Sequence, residues 1–239
     1  MKLSEIPSSA LAIYAHPDDP EISAGGTLAR WARGGAEVWI LICTRGEKGS
    51  NDPAQDTVEL AKIRVIETKA AAEVLGVAES FHLDHGDGEL ENDARLRGQI
   101  VEHVRRLKPD VVVCPDPTAV IFGDRYFNHH DHRAVGMATL DAIAPAAGNP
   151  HYFPEQLASG ELTAHNVREV YLSGTLEPSC WVDIADTLEL KIEALFRHAS
   201  QLTETGEWFR QFLRERAEQA GSEAGLTYAE SLRRLSFGG

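Results

Sequence analysis

The sequence predicts an α/β fold with helices on both faces of a mostly parallel sheet. Two observations carry that expectation. Short, near-continuous apolar runs, the mark of strands covered on both faces, alternate with stretches of helical spacing. The first two runs are joined by one such helical stretch, so the chain opens with a βαβ unit, which implies a parallel sheet with a right-handed crossover.

Taken in order, Leu11 to Ala15 is an apolar run that stops at His16-Pro17-Asp18-Asp19, a strand ending in a loop. Ile22 to Arg33 has helical spacing and closes on Gly34-Gly35, a helix stop. Glu37 to Thr44 is the second strand, and Thr57 to Leu75 a long helix with Gly76 behind it. Ser80 to Leu83 is a short strand, Ala94 to Leu107 a helix stopped by Pro109, and Asp110 to Cys114 a buried strand. A helix over Asp131 to Ala144, strands over Val167 to Ser173 and Cys180 to Ile184, and helices over Asp186 to Gln201 and Trp208 to Gln219 complete the pattern. Gly46 to Asp56, Asp116 to Asn128 and Ala144 to Asn166 break the alternation and are expected to be loops of the kind that line sites.

At 239 residues the chain can bury one large core without disulfides or structural metals, and no linker divides it, so one domain over 1–239 is expected. With 43% hydrophobic and 25% charged residues it is a globular composition, not a disordered one. Lys plus Arg number 23 against 37 Asp plus Glu, a net charge of −14 with no basic patch, which argues against nucleic acid and anionic membranes as partners. There is no apolar stretch of membrane-span length, and the first nine residues lack the apolar core of a signal peptide. Cys43, Cys114 and Cys180 show no C-x-x-C spacing and are expected to be buried reduced thiols, placing the protein in the cytoplasm.

Two clusters point to chemistry. His16-Pro17-Asp18-Asp19 lies at the end of the first strand, where open parallel sheets bind ligands. Adjacent carboxylates beside an imidazole call for a cation, although an Asp at a helix start also serves as an ordinary N-cap. Taken alone, the cluster leaves the two readings evenly matched. Asn128-His129-His130-Asp131-His132 then places three imidazoles and a carboxylate before another helix. Together they suggest a zinc site of His16, Asp19 and His132, whose three protein ligands leave one position open, as catalytic rather than structural sites do. Asp18, diverging from its neighbour, is left free to act as general base toward water at the metal.

The two clusters resemble the motifs of the LmbE-like (PIG-L) N-deacetylases: His16-Pro17-Asp18-Asp19-x-Glu21 with Gly25-Gly26-Thr27, and His129-x-Asp131-His132. The resemblance extends to Arg64-x-x-Glu67, Leu75-Gly76, Trp181-Val182-Asp183-Ile184 and Lys191 with His198-x-Ser200-Gln201. It implies a three-layer Rossmann-like sandwich with a mostly parallel sheet, the LmbE-like fold. It implies zinc-dependent hydrolysis of the acetamide of an N-acetylated amino sugar or its conjugate, with iron(II) as the alternative metal. Carried over, His16, Asp19 and His132 hold the metal and Asp18 is the base. His129, as a cation, stabilises the oxyanion, and Asp131 orients His129. Arg64 grips substrate hydroxyls or a carboxylate. A zinc amidase acting on a larger thiol conjugate or natural-product amide is the alternative activity, and a non-catalytic metal- or sugar-binding module the second.

Departures bear on the substrate. Some relatives read HPDDE, whereas Pro20 precedes Glu21 here, as in the branch acting on N-acetylglucosaminyl-malate and similar small glycosides. His130 stands where relatives often carry Pro, and Phe127 where one branch places a Tyr, with Tyr126 adjacent. The general acid is thus left between His129 and Tyr126. Glu47 and Lys48 are weaker site candidates. His82, His85, His151, His165 and His198 lack ligand spacing and are expected to be ordinary residues, and Trp181 and Trp208 core or subunit contacts. A homo-oligomer, trimer or hexamer, is implied by the resemblance.

Overall fold

The structure, a computed structural model, describes residues 1–202 and 206–237. The first strand-forming apolar run is β2 (Ser9–Tyr14), preceded by a two-residue β1 (Lys2–Leu3) that the sequence did not mark. The chain then runs through α1 (Asp19–Arg33), β3 (Glu37–Thr44), α2 (Thr57–Leu75), β4 (Glu79–His85), α3 (Ala94–Leu107) and β5 (Val111–Pro115), all close to the expected bounds. Gly76, at φ +75°, gives α2 the left-handed C-terminal stop that only glycine adopts without strain.

The Asp116 to Asn128 segment is not a plain loop. It folds into a hairpin of β6 (Ile121–Phe122) and β7 (Tyr126–Phe127), with Tyr126 and Phe127 exposed. After it come α4 (His130–Asp141), a π-helical turn over Ala142–Ala147, a 3₁₀ turn at Pro154–Leu157, β8 (Glu169–Ser173) and β9 (Cys180–Asp183). The expected helix over Asp186 to Gln201 is two pieces, α5 (Leu188–Leu195) and α6 (Ala199–Leu202). Between them the N–H groups of Arg197 and His198 reach the carbonyls of Ala194 and Leu195, three residues back, and the tightened turn ends α5.

The chain closes with α7 (Gly206–Ala224) and a strand missed in the sequence, β10 (Ala229–Ser236). Its Arg233 and Arg234 disguise it as a polar tail, yet it inserts antiparallel between β8 and β9. The sheet order is β1-β9-β10-β8-β5-β2-β3-β4, and every other pairing in it is parallel.

Alternation along the strands builds two cores. Leu11, Ile13, Leu41 and Val112 face α3 and α4, while Ala12, Tyr14, Ile40 and Val113 face α1, α5 and α7. Each fully buried side chain of this size contributes about 1.5–3 kcal/mol, so the sheet is a rigid base for the loops at its carboxyl edge. Those loops meet where the order reverses: β3 lies on one side of β2 and β5 on the other. Trp208 is 64% exposed and is not a core residue. No helix among the described residues is long and apolar enough to cross a membrane.

Candidate metal centre and active site

His16 follows β2, Asp19 opens α1, and His132 lies in the first turn of α4, so three elements ending at the same sheet edge bring them together. His16 Nδ1 and His132 Nε2 are 3.3 Å apart. Asp19 Oδ1 is 3.1 Å from His132 Nε2, and Asp19 Oδ2 is 3.3 Å from His16 Nδ1. Donors about 2.0–2.2 Å from a tetrahedral ion sit roughly 3.3–3.6 Å from one another, so this triangle needs little change to hold one.

Each ring's outward nitrogen has an oxygen acceptor of its own. His132 Nδ1 meets Asn128 Oδ1 at 3.1 Å, and Asn128 is itself oriented because its Nδ2 donates to the Ala119 carbonyl at 2.8 Å. His16 Nε2 lies 3.1 Å from Asp131 Oδ2 and 3.2 Å from Asp87 Oδ1. Each imidazole thus has an outer acceptor for one N–H and turns its other nitrogen toward Asp19, the support a metal-ligating histidine usually has. The donor set of two imidazoles and one carboxylate fits a zinc-type ion.

Charge tells the same story. Burial pushes the His16 pKa down, but Asp19, Asp131 and Asp87 more than offset it and hold it well above its ordinary value. His132 is likewise raised against burial, mainly by Asp19. Burial pushes Asp19 up, yet His132 and His16 outweigh that and hold it well below the usual carboxylate range. A cluster of this composition collects positive charge.

Asp18 points elsewhere. It sits at φ +84°, a left-handed conformation costing a non-glycine residue ~1–2 kcal/mol, and its carboxylate caps nothing in its own helix. Instead Oδ2 lies 3.2 Å from the Arg64 guanidinium. Its pKa is pushed up to about 6, by burial first and by Asp19, with Arg64 pulling the other way.

Arg64, expected to grip substrate, turns its guanidinium inward. It is 4% exposed, and its guanidinium donates to the Gly46 carbonyl at 2.9 Å, the Pro17 carbonyl at 2.7 Å and Asp18. It braces Asp18 from within the protein, and its hold on Gly46 requires a residue with no Cβ there, because one would lie 2.1 Å from the guanidinium. Asp131 also departs from expectation: its carboxylate holds His16 and accepts the N–H groups of Gly88 at 2.7 Å and Leu90 at 3.2 Å. Only its backbone N–H meets His129, donating to Nδ1 at 3.2 Å.

That contact is informative about His129, which sits at the N-cap of α4 within 4.8 Å of the His16 and His132 ring nitrogens. With Nδ1 accepting, a neutral ring carries its proton on Nε2. Burial, then His16, hold its pKa below the ordinary value, so the neutral donor is favoured over the expected cation. His130 is exposed beside Glu91, and Tyr126 packs its ring on Phe122 in the hairpin.

Sequence reasoning missed three partners. Asp87, in the loop after β4, holds His16 and also accepts the Lys48 N–H at 3.1 Å. With Glu47 accepting the Asp87 N–H at 2.8 Å, it ties the loop after β3 to the site. A lone Asp between glycines carries no spacing signal. Asn128 was visible in the His-rich run but not its job. His198, expected to be an ordinary loop, core or surface residue, is a core one, fully buried 3.4 Å from Glu21.

The family described as PIG-L: GlcNAc-PI de-N-acetylase matches residues 11–143, a span that contains every residue of the cluster. Diacetylchitobiose deacetylase of Thermococcus kodakarensis is 36% identical over 224 residues, covering 93% of this chain and 81% of that protein. A 1D-myo-inositol 2-acetamido-2-deoxy-alpha-D-glucopyranoside deacetylase of Mycobacterium sp. (strain JLS) is 28% identical over 244 residues, covering 84% of this chain and 76% of that protein. Among solved structures, N,N'-diacetylchitobiose deacetylase from Pyrococcus horikoshii superposes with a TM-score of 0.88 at 32% identity, covering 96% of this chain and 84% of that chain. With fold, matched span and both clusters in agreement, the chain belongs to the PIG-L family.

Proposed function

We propose that the chain is a zinc-dependent N-deacetylase that hydrolyses the acetamide of an N-acetylated amino sugar or its conjugate, releasing acetate and a free amine. The observation that carries this reading is the division of labour between neighbours: Asp19 turns into the triangle with His16 and His132, while the Asp18 carboxylate stays out of it, paired with Arg64.

His16, Asp19 and His132 would hold the metal, zinc with iron(II) as the alternative. When bound, it supplies Lewis acidity toward the attacking water and the amide carbonyl. Asp18 Oδ accepts the proton released as water attacks the carbonyl carbon, and Arg64 keeps that carboxylate aimed. His129 Nε2–H donates to the carbonyl oxygen as negative charge gathers there. The amine leaves once it has gained a proton, which Asp18, carrying the one it took, can return. The relatives named above are deacetylases of diacetylchitobiose and of a 1D-myo-inositol 2-acetamido-2-deoxy-alpha-D-glucopyranoside, so the N-acetylated amino sugar is the shared part of the substrate we propose. Cys43, Cys114 and Cys180 are buried free thiols, consistent with the cytoplasmic setting we propose.

The test is metal content together with amine release from N-acetylglucosamine, its malate and inositol conjugates and diacetylchitobiose, wild type beside Asp18→Asn. Stoichiometric metal and amine release that collapses in Asp18→Asn are expected. Equal turnover in the variant would remove Asp18 as base, and metal without any release would favour a larger amide.

A further inference from the structure

Buried polar atoms without a partner are concentrated behind Asp18. Of the nine among the described residues, five are here: both carboxylate oxygens of Glu21, both ring nitrogens of His198, and Nε of Arg64. Native structures satisfy nearly all such atoms, so a cluster of orphans calls for an explanation. Glu21 and His198 are both fully buried, with Oε2 and Nε2 3.4 Å apart but misaligned for a hydrogen bond.

The neighbouring knot on the same helix shows what a purely structural pair looks like. Glu230 accepts from Gly26 N at 3.0 Å, Thr27 N at 2.7 Å, Thr27 Oγ1 at 2.5 Å and Lys191 Nζ at 2.6 Å. Lys191 Nζ also donates to the Ile22 carbonyl at 2.9 Å. That knot is saturated, and the Glu21–His198 pair is not.

Local geometry says what the pair prevents. Asp18 precedes α1 and Glu21 is its third residue, the spacing of a capping box, in which the first side chain bonds forward and the Glu reaches back to the first backbone N–H. Neither arm forms. Asp18 stands in the left-handed region with its carboxylate on Arg64, and Glu21 is drawn inward to His198. His198 is fixed at the break between α5 and α6, and the next turn is pinned to α2 because Glu67 accepts from Ser200 N at 2.7 Å and Ser200 Oγ at 2.6 Å.

We infer that Glu21 and His198 are positioning residues for Asp18: the imidazole keeps Glu21 inside the protein, the capping box cannot close, and the Asp18 carboxylate stays turned toward Arg64. The inference rests on Asp18 being the base, as proposed above. Burial lowers the His198 pKa, but Glu21, Asp18 and Glu67 outweigh it and raise it overall, so the imidazole and the Glu21 carboxylate attract across 3.4 Å without a hydrogen bond. Strain kept at one residue by surrounding contacts is the pattern of functional sites.

The test uses the metal-loaded protein carrying Glu21→Gln and His198→Gln together, compared in the native and Asp18→Asn backgrounds. In the native background kcat is expected to fall ~10–100-fold, with KM, metal content and Tm held or Tm raised. In the Asp18→Asn background no further fall is expected. An unchanged kcat, or the same fold-loss in both backgrounds, overturns the inference, because the pair then acts on stability or on another residue. If the double variant does not fold, Glu21→Gln alone is measured in the same two backgrounds against the same outcomes. Wild-type turnover that survives Asp18→Asn undiminished removes the base assignment itself and the inference with it, a result distinct from failure of the pair alone.

Discussion

Among the helices that begin on a residue able to cap them, α1, α2 and α4 use it in three different ways. Asp56, at the start of α2, takes an extended backbone and accepts the N–H groups of Val58 at 2.8 Å and Glu59 at 3.2 Å. Asp18, at the start of α1, takes a left-handed backbone, accepts neither, and spends its carboxylate on Arg64. His129, at the start of α4, caps with Nδ1 and leaves Nε2 free. The first residue serves its helix, the second has been withdrawn from that service, and the third serves its helix with one nitrogen and keeps the other. A side chain that declines its local role and occupies a strained conformation to do so is being held for something else.

The comparison breaks first at Asp18→Gly. This removes the carboxylate and also relieves the left-handed backbone, so the two effects should run in opposite directions. A fall of ~10²–10⁴ in kcat is expected, the range for removing a general base. Thermal stability should hold or rise by about 1 kcal/mol as the strain goes. Arg64 keeps the Gly46 and Pro17 carbonyls as partners. Loss of activity and stability together would make Asp18 a structural residue after all.

His129→Asn separates the two roles of the third helix start. Asparagine caps as well as any residue, so α4 should keep its stability. Without Nε2–H the carbonyl oxygen loses a donor, and kcat should drop about 10²–10³-fold. His129→Ala, which removes both, should show the same kinetic loss plus ~1 kcal/mol in stability. Thermal melts and amine-release rates on the two variants decide whether the roles are separable.

These pairs also show what the sequence could and could not reveal. The βαβ alternation and both clusters were legible because strand apolarity and adjacent ligand-type residues are local signals. From composition alone Asp18 and Asp56 are both acids before a helix; the second cluster told them apart, but the backbone angle was invisible. Arg64 was expected to grip substrate because the resemblance implies it; that its side chain is buried could not be read from a helix Arg in the sequence. Asp87 and His198 meet residues distant in sequence, His16 and Glu21, and no local pattern encodes that; Asn128 lies only four residues from His132, but the run does not say which way its side chain turns. β10 was missed because its two arginines hide an alternating strand buried between neighbours only in the folded sheet.

A smaller effect is expected where the cap is only a cap. Asp56→Ala removes two hydrogen bonds at the start of α2 and should cost about 1 kcal/mol, leaving kcat and KM per folded molecule unchanged. A chemical-denaturation midpoint beside a rate measurement checks it. A kinetic effect would mean that the loop after β3, which ends at Asp56, transmits its position to the site through Lys48 and Asp87.

The smallest effect belongs to Pro20. With Asp18 withdrawn, the first turn of α1 has no side-chain cap, and proline there removes one donor that would otherwise lack a partner while presetting the helical φ. Pro20→Ala should therefore cost about 0.4–1 kcal/mol, mostly by loosening the unfolded chain, and should leave turnover unchanged. The competing account is that Pro20 marks a substrate branch. If so, KM across the conjugate panel should reorder while the melting temperature stays put. A stability loss with an unmoved panel places Pro20 with Asp56, as a residue that keeps a helix start in order, and leaves Asp18 free of that duty.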